Sequence, residues 1–185
     1  MFKKGIVLIL FAIPTMLFSK EYASKNLEIL SMKNEPVGVL YKGAKVNENK
    51  GDFTLSGWVM DGNEYIIFYS SKDRIKLARL EDEFTKNMKV SETKEDVYGV
   101  KWKKIDIDFK LKNSKALVTN ENELWNKEEE LYQRCGSCHK TFEAYEYTPN
   151  QWPSIMKTMK TNAGFSKKET KAVSVYLQYE SLKGK

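Results

Sequence analysis

The only two cysteines and the only histidine of this chain fall in one five-residue stretch, Cys135-Gly136-Ser137-Cys138-His139. This is the C-x-x-C-H spacing of covalent c-type haem attachment. Two thiols at this separation can form thioethers with the two vinyl groups of one porphyrin. The adjacent imidazole is then held against the iron as its proximal ligand. The expected cofactor is a single covalent haem c bound by Cys135, Cys138 and His139, since no other cysteine or histidine offers a second site.

Two other uses of the same residues have to be weighed. A Cys-x-x-Cys pair can run thiol-disulfide exchange, but that chemistry usually follows a strand and opens a helix. Here the pair follows a charged run of helical character, Asn126 to Arg134. A structural zinc site needs four ligands, and this segment supplies three soft ones.

With one histidine, a second imidazole from the same chain is excluded as the sixth iron ligand. Met, Lys, Tyr, water or a partner's group are left. Met156 and Met159 lie downstream in Trp152-Pro153-Ser154-Ile155-Met156-Lys157-Thr158-Met159, where residues 152, 156 and 159 share one helical face. Thr148-Pro149-Asn150-Gln151 reads as the start of that helix, with Pro153 tolerated in its first turn. Met159 is the expected ligand over Met156, because it stands beside the turn Lys160 to Gly164. Trp152, Phe142 and Tyr147 are expected to wall the pocket. Thioether ligation raises the iron potential relative to a second imidazole. A six-coordinate iron leaves no open position, so the expectation is an electron-transfer protein, not an enzyme.

Haem attachment of this kind is carried out on exported proteins, and the chain begins like one. Met1-Phe2-Lys3-Lys4 precedes an apolar run from Gly5 to Phe18. A basic start and an apolar core of roughly fourteen residues read as a secretory signal, here residues 1–19. The run is short for a membrane span, which needs about 20 residues. The expected location is the periplasm, with no stable membrane span once the signal is removed. The formal charge is +6, with 31 basic and 25 acidic residues interspersed. That pattern does not indicate a nucleic-acid surface.

The rest of the chain divides near residue 118. Phe53, Leu55, Gly57 and Val59 alternate, and Asp61-Gly62-Asn63 supplies a hairpin turn. Tyr65 to Tyr69 reads as a buried strand. Tyr98, Val100 and Trp102 alternate, as do Ile105, Ile107, Phe109 and Leu111, with Lys103-Lys104 expected to turn between them. Arg74 to Val97 reads as either a short helix or a long loop. Five to seven short strands suggest a small antiparallel barrel or sandwich across residues 25–118. It holds no catalytic constellation and reads as a binding or docking module.

From Thr119 the period becomes helical. Asn120-Glu121-Asn122-Glu123 has the form of a capping box, and Leu124, Leu131 and Cys135 share a face that Glu128 interrupts. Ser166-Lys167-Lys168-Glu169 is a second box. It opens a helix expected to bury Ala172, Val173, Tyr176 and Leu177. The expected fold class is α+β: a small antiparallel β-barrel followed by an all-α cytochrome c-like haem domain at residues 119–185.

These motifs resemble a known family. Leu131-Tyr132, Cys135-x-x-Cys138-His139, Tyr147-Thr148-x-Asn150-Gln151-Trp152, Met159 and Tyr176-Leu177 resemble the C-terminal monohaem domain of TorC-type cytochromes of trimethylamine N-oxide respiration. Gly38 to Ala44, Leu55-Ser56-Gly57-Trp58 and Arg74-Ile75-x-x-Ala78-x-Leu80 resemble the SH3-like β module before that domain. The resemblance implies a periplasmic haem protein passing electrons to a molybdenum-cofactor reductase of N-oxides or S-oxides. It places covalent attachment on Cys135 and Cys138, the proximal ligand on His139, and the distal ligand on Met159. Long family members also carry a membrane-anchored four-haem module that takes electrons from quinol. This chain has one C-x-x-C-H, so its electron donor stays unassigned. The alternative function is a haem-based redox or ligand sensor that docks a partner protein.

Overall fold

The computed structural model describes residues 19–184. The expected leader lies outside the described residues except for Ser19, where the first strand opens. Among the described residues, ten strands form one antiparallel sheet. They are β1 (Ser19–Ala23), β2 (Leu27–Leu30), β3 (Pro36–Leu40), β4 (Lys45–Asn49) and β5 (Asp52–Met60). After them come β6 (Asn63–Phe68), β7 (Lys76–Leu80), β8 (Lys89–Glu95), β9 (Lys101–Leu111) and β10 (Leu117–Val118).

The two longest strands close the sheet into a barrel. β5 and β9 pair from Phe53↔Phe109 to Met60↔Trp102. This joins the ends of the run β5-β6-β7-β3-β2-β9, giving six barrel strands without a free edge among them. The alternation read from the sequence turns Phe53, Leu55, Val59, Ile105, Ile107 and Phe109 into the core. Gly57 lies in the same series because β6 crosses it closely. A Cβ there would stand 2.4 Å from Ile67 Cγ2 and 2.8 Å from the Phe68 carbonyl.

Two local expectations are corrected. Lys103-Lys104 makes no turn, since Lys103 and Lys104 pair with Val59 and Trp58 inside an unbroken β9. Lys103 is accommodated there because its ammonium meets Asp61 at 2.7 Å and Glu64 at 3.1 Å. The change of phase between Trp102 and Ile105 marks two apolar clusters. Trp102 belongs to a small group with Trp58, Ile66 and Phe68, while Ile105 belongs to the main core. The ambiguous stretch after Arg74 becomes β7, a one-turn helix α1 (Asp82–Thr85) and β8. Every residue of β8 is exposed, so no apolar period announced it.

The larger correction concerns fold class. The chain is mostly β, and no separate all-α cytochrome domain forms. Beyond β10 lie α2 (Asn126–Tyr132), α3 (Trp152–Met159) and α4 (Lys167–Lys183), with short 3-10 turns between. Asn120 caps one such turn at Glu121–Glu123, accepting from the Asn122 N–H, and α2 starts only at Asn126. So few short helices bury too little surface to stand alone. Their apolar residues instead complete the barrel's core: Trp125, Leu131, Val173, Leu177 and Tyr179 fall in one buried cluster with Leu40, Ala44 and Leu77.

The seam between barrel and helices is specific. Gly43 has φ +87°, and a Cβ there would come within 2.7 Å of the Tyr179 ring and 2.8 Å of Trp125. Glycine lets both rings close on the turn between β3 and β4. Glu128, which interrupts the apolar face of α2, is buried and accepts two hydrogen bonds of 2.8 Å from the Lys42 ammonium. Asn150 bridges to the barrel, accepting from the Arg74 N–H at 2.8 Å and donating to the Lys72 carbonyl at 2.7 Å. Gln178 of α4 donates to the Pro149 carbonyl at 2.9 Å. The Ser166-Glu169 capping box forms as read, with both reciprocal bonds. Val173, Tyr176 and Leu177 are buried behind it and Ala172 is half-buried.

Candidate haem site

The C-x-x-C-H segment begins as the continuation of α2. The chain tightens at Gln133–Ser137 into a 3-10 turn, and the Ser137 hydroxyl donates to the Arg134 carbonyl at 2.9 Å. Cys135 points into the protein and is buried, as its place on the Leu124-Leu131 face requires. Cys138 and His139 are exposed. Both thiols are free. Burial pushes the Cys135 thiol above its ordinary value. The C-terminal end of a helix also opposes thiolate formation. Redox-active dithiols need a stabilised thiolate, so this placement disfavours thiol-disulfide exchange. Among the described residues no three of His, Cys, Asp and Glu are clustered to hold a metal ion, which gives the zinc reading no support.

His139 Nδ1 lies 2.7 Å from the Lys140 carbonyl oxygen. A carbonyl only accepts, so Nδ1 carries the proton in this bond. In the neutral ring, Nε2 then keeps its lone pair, the state a metal-ligating histidine needs.

Aromatic rings continue from the imidazole. Phe142 stands 5.6 Å from the His139 ring, and Tyr147 meets Phe142 edge-on at 5.3 Å. Trp152 follows at 5.2 Å, and Tyr132 closes the series edge-on to Trp152 at 6.3 Å. Backbone contacts fix the rings. The Tyr132 hydroxyl donates to the Phe142 carbonyl at 2.7 Å, and Trp152 Nε1 donates to the Ala144 carbonyl at 2.9 Å. Burial raises Tyr132 to about 12, so it stays a neutral donor at physiological pH. The predicted wall residues Phe142, Tyr147 and Trp152 are thus brought together beside His139. Tyr132 joins them through its own ring and hydroxyl.

The two candidate thioethers differ. Met156 is fully buried in the main core, while Met159 is half-buried at the end of α3. Both share the helix face that carries Trp152, as the spacing predicted. Arg134, next to Cys135, reaches Glu169 of α4 at 3.2 Å. The Ser166 backbone N–H and hydroxyl, assisted by Arg134, hold the Glu169 carboxyl below its ordinary range. This contact ties the motif to the start of α4.

This donor set fits a covalently held porphyrin. It comprises two free thiols, an imidazole with Nε2 available, and fixed aromatic rings alongside. Tyr132 and Asn150 were read only as parts of motifs, without the contacts they make, and the pairing of Lys42 with Glu128 of α2 was missed. Glu128 on an apolar face was a usable signal for a cationic partner such as Lys42. Nothing local marked Asn150 as a bridge to the loop before β7.

Comparison with known proteins adds a second line. The chain is similar to cytochrome c-type protein TorY of Escherichia coli O157:H7, 31% identical over 129 residues, covering 69% of this chain and 35% of that protein. It is also similar to cytochrome c-type protein TorY of Haemophilus influenzae, 28% identical over 137 residues, covering 72% of this chain and 37% of the relative. The chain therefore spans about a third of the length of the curated relatives it matches. No solved structure matches it. No helix among the described residues is long and apolar enough to cross a membrane. The sequence model of the TorC third cytochrome c domain matches residues 20–116, which contain no cysteine or histidine. The matched segment is the barrel with its flanking strands, and the C-x-x-C-H segment follows it, with Cys135 in the same buried core. On that match, over more than half its length, the chain belongs to the family of the TorC third cytochrome c domain.

Proposed function

We propose that this protein is an exported monohaem c-type cytochrome that carries single electrons in the periplasm to a molybdenum-cofactor reductase of N-oxides or S-oxides. The observation that carries the reading is the pair of free thiols at Cys135 and Cys138 beside the sole histidine, whose Nδ1 is engaged by the Lys140 carbonyl. Residues 1–19 serve as the leader. Residues 25–118 form the SH3-like β module, and residues 119–185 supply the haem-binding segment.

Cys135 and Cys138 would hold one haem c by thioethers, and His139 Nε2 would ligate its iron. The Lys140 carbonyl holds the imidazole in the tautomer this needs. Met159 would supply the second, thioether ligand. Its partial exposure supports it over Met156, whose sulfur is committed to the core. When bound, the haem supplies reversible one-electron exchange at its iron. Tyr132, Tyr147 and Trp152 exclude water from one side, and the exposed Cys138-His139 edge leaves the other open to a partner. The family membership supports electron transfer, and the TorY relatives support a place in trimethylamine N-oxide respiration.

Reoxidation of the reduced protein by a candidate N-oxide or S-oxide reductase tests the partner. Rapid reoxidation that requires both reductase and substrate is the expected result. Slow reoxidation unaffected by the reductase would remove that partner. Met159→Ala should abolish the low-spin Met-His spectrum and lower the potential, with less than about 1 kcal/mol lost in stability. An unchanged spectrum would exclude Met159 as the ligand.

A further inference from the structure

A cleft of about 680 Å³ opens where the barrel meets α4, away from the residues assigned to the haem. Six cationic side chains line it: Lys25, Lys42, Arg74, Lys76, Lys168 and Lys171. One carboxylate, Glu128, lines it as well, and that group already holds Lys42 at 2.8 Å. Over the whole chain basic and acidic residues are nearly balanced, 31 to 25. The cleft therefore concentrates the protein's positive excess in one concave site. Arg74 has an outside partner in Asp96, at 3.4 Å. Lys25, Lys168 and Lys171 form no ion pair among the described residues, so their charge is directed at solvent or at a ligand.

The walls are apolar. Tyr41 and Val175 face the cleft half-buried, while Ile75 and Trp125, also in its lining, are buried. The Lys171 ammonium lies 5.8 Å from the Tyr41 ring centre, and Lys42 lies 4.9 Å from that of Trp125. Cations are thereby held above aromatic faces. Trp125 Nε1 is a buried donor without an acceptor among the described residues. The volume falls in the range of small-molecule sites, which favour such junctions between structural units and combine apolar walls with a few placed charges.

We infer that this cleft is a binding site for a small organic anion, an aromatic or apolar body carrying a carboxylate, phosphate or sulfonate. The body lies against Tyr41, Ala172 and Val175, and the anionic group meets Lys168, Lys171 and Lys25. This inference does not depend on the identity of the redox partner or on the distal iron ligand.

Isothermal titration of the haem-loaded protein with 8-anilinonaphthalene-1-sulfonate tests it, beside the uncharged N-phenyl-1-naphthylamine and inorganic phosphate. The sulfonate should bind at one saturable site and weaken with added salt. The uncharged ring and phosphate alone should each bind at least roughly tenfold more weakly, since each lacks one half of the recognition. The exposed pair Lys168→Glu/Lys171→Glu should weaken the sulfonate by roughly tenfold, which is about 0.7 kcal/mol from each contact. The milder Lys168→Gln/Lys171→Gln should fall between, and haem content and potential should not change. Equal binding of sulfonate and uncharged ring would overturn the site, as would sulfonate affinity unmoved by charge reversal. Displacement of the sulfonate by a short polyglutamate peptide that itself binds more tightly would also overturn it, giving the cleft to an acidic protein partner.

Discussion

The barrel and the segment after it solve opposite problems. In the barrel, β5 and β9 stay paired over their whole overlap, and the six-strand closure leaves no free edge among them. It contains no cysteine or histidine. The following segment carries the C-x-x-C-H motif but has only α2, α3 and α4 as regular structure among its described residues. Its stretch from Cys138 to Gln151 is held by hydrogen bonds at Tyr132, Trp152 and Asn150 more than by secondary structure. A rigid, chemically inert element thus braces a chemically equipped one that could not bury its own apolar residues. This also explains how a family defined as a cytochrome domain is recognised across residues 20–116. That part is the scaffold.

The contrast can be broken at the motif first. Cys135→Ala/Cys138→Ala should eliminate covalent haem entirely while the barrel keeps its far-ultraviolet signature. Simultaneous loss of the sheet signal would show that the barrel is not self-supporting.

At the seam, Gly43→Val combines a side chain at φ +87° with contacts under 3 Å to Trp125 and Tyr179. Overpacking and positive-φ strain together should cost about 3 kcal/mol. Urea denaturation followed by tryptophan fluorescence would measure it, and a loss within error would mean that the seam is loose.

Glu128→Ala removes the carboxylate that holds Lys42. Lys42 keeps 23% side-chain exposure, so its stranded charge can still reach water. The loss should be about 1–2 kcal/mol, below that for a fully buried pair. A double-mutant cycle with Lys42→Met isolates the pair, and a coupling near zero would show that packing alone joins α2 to the barrel.

The smallest effect is on acid stability, and it falls on the barrel. The Trp102 indole N–H, then the Val100 and Tyr98 N–H groups and Arg74, hold Asp96 below the ordinary carboxylate range. The Lys89 ammonium and Thr54 hydroxyl do the same for Asp108. A lowered folded-state value means that the stabilisation is fully present above the unfolded value of about 4 and is lost as pH falls through the lower folded value. Asp96→Asn should flatten that part of the stability profile below pH about 4. An unaltered profile would remove Asp96 from the account.

Much of this was legible in sequence because it depends on near neighbours. C-x-x-C-H, the Ser166-Glu169 box and the alternation of Phe53, Leu55 and Val59 each state their own local rule. Lys103 was misjudged because its partners Asp61 and Glu64 come from the β5–β6 hairpin, some forty residues earlier. β8 was missed because an exposed edge strand buries nothing and so shows no apolar period. The separate all-α domain was an error of the same kind. Val173 and Leu177 were correctly read as buried, but the core they join includes residues far earlier in the chain, such as Leu40 and Ala44.

The central claim is that Cys135 and Cys138 are consumed in binding one haem. Intact mass spectrometry of the exported protein under denaturing conditions, with peptide mapping across residues 135–139, tests it most directly. The account predicts the added mass of a single haem, localised to that peptide and resistant to acid-acetone extraction. An unmodified mass, with the two thiols titratable or joined to each other, would contradict it.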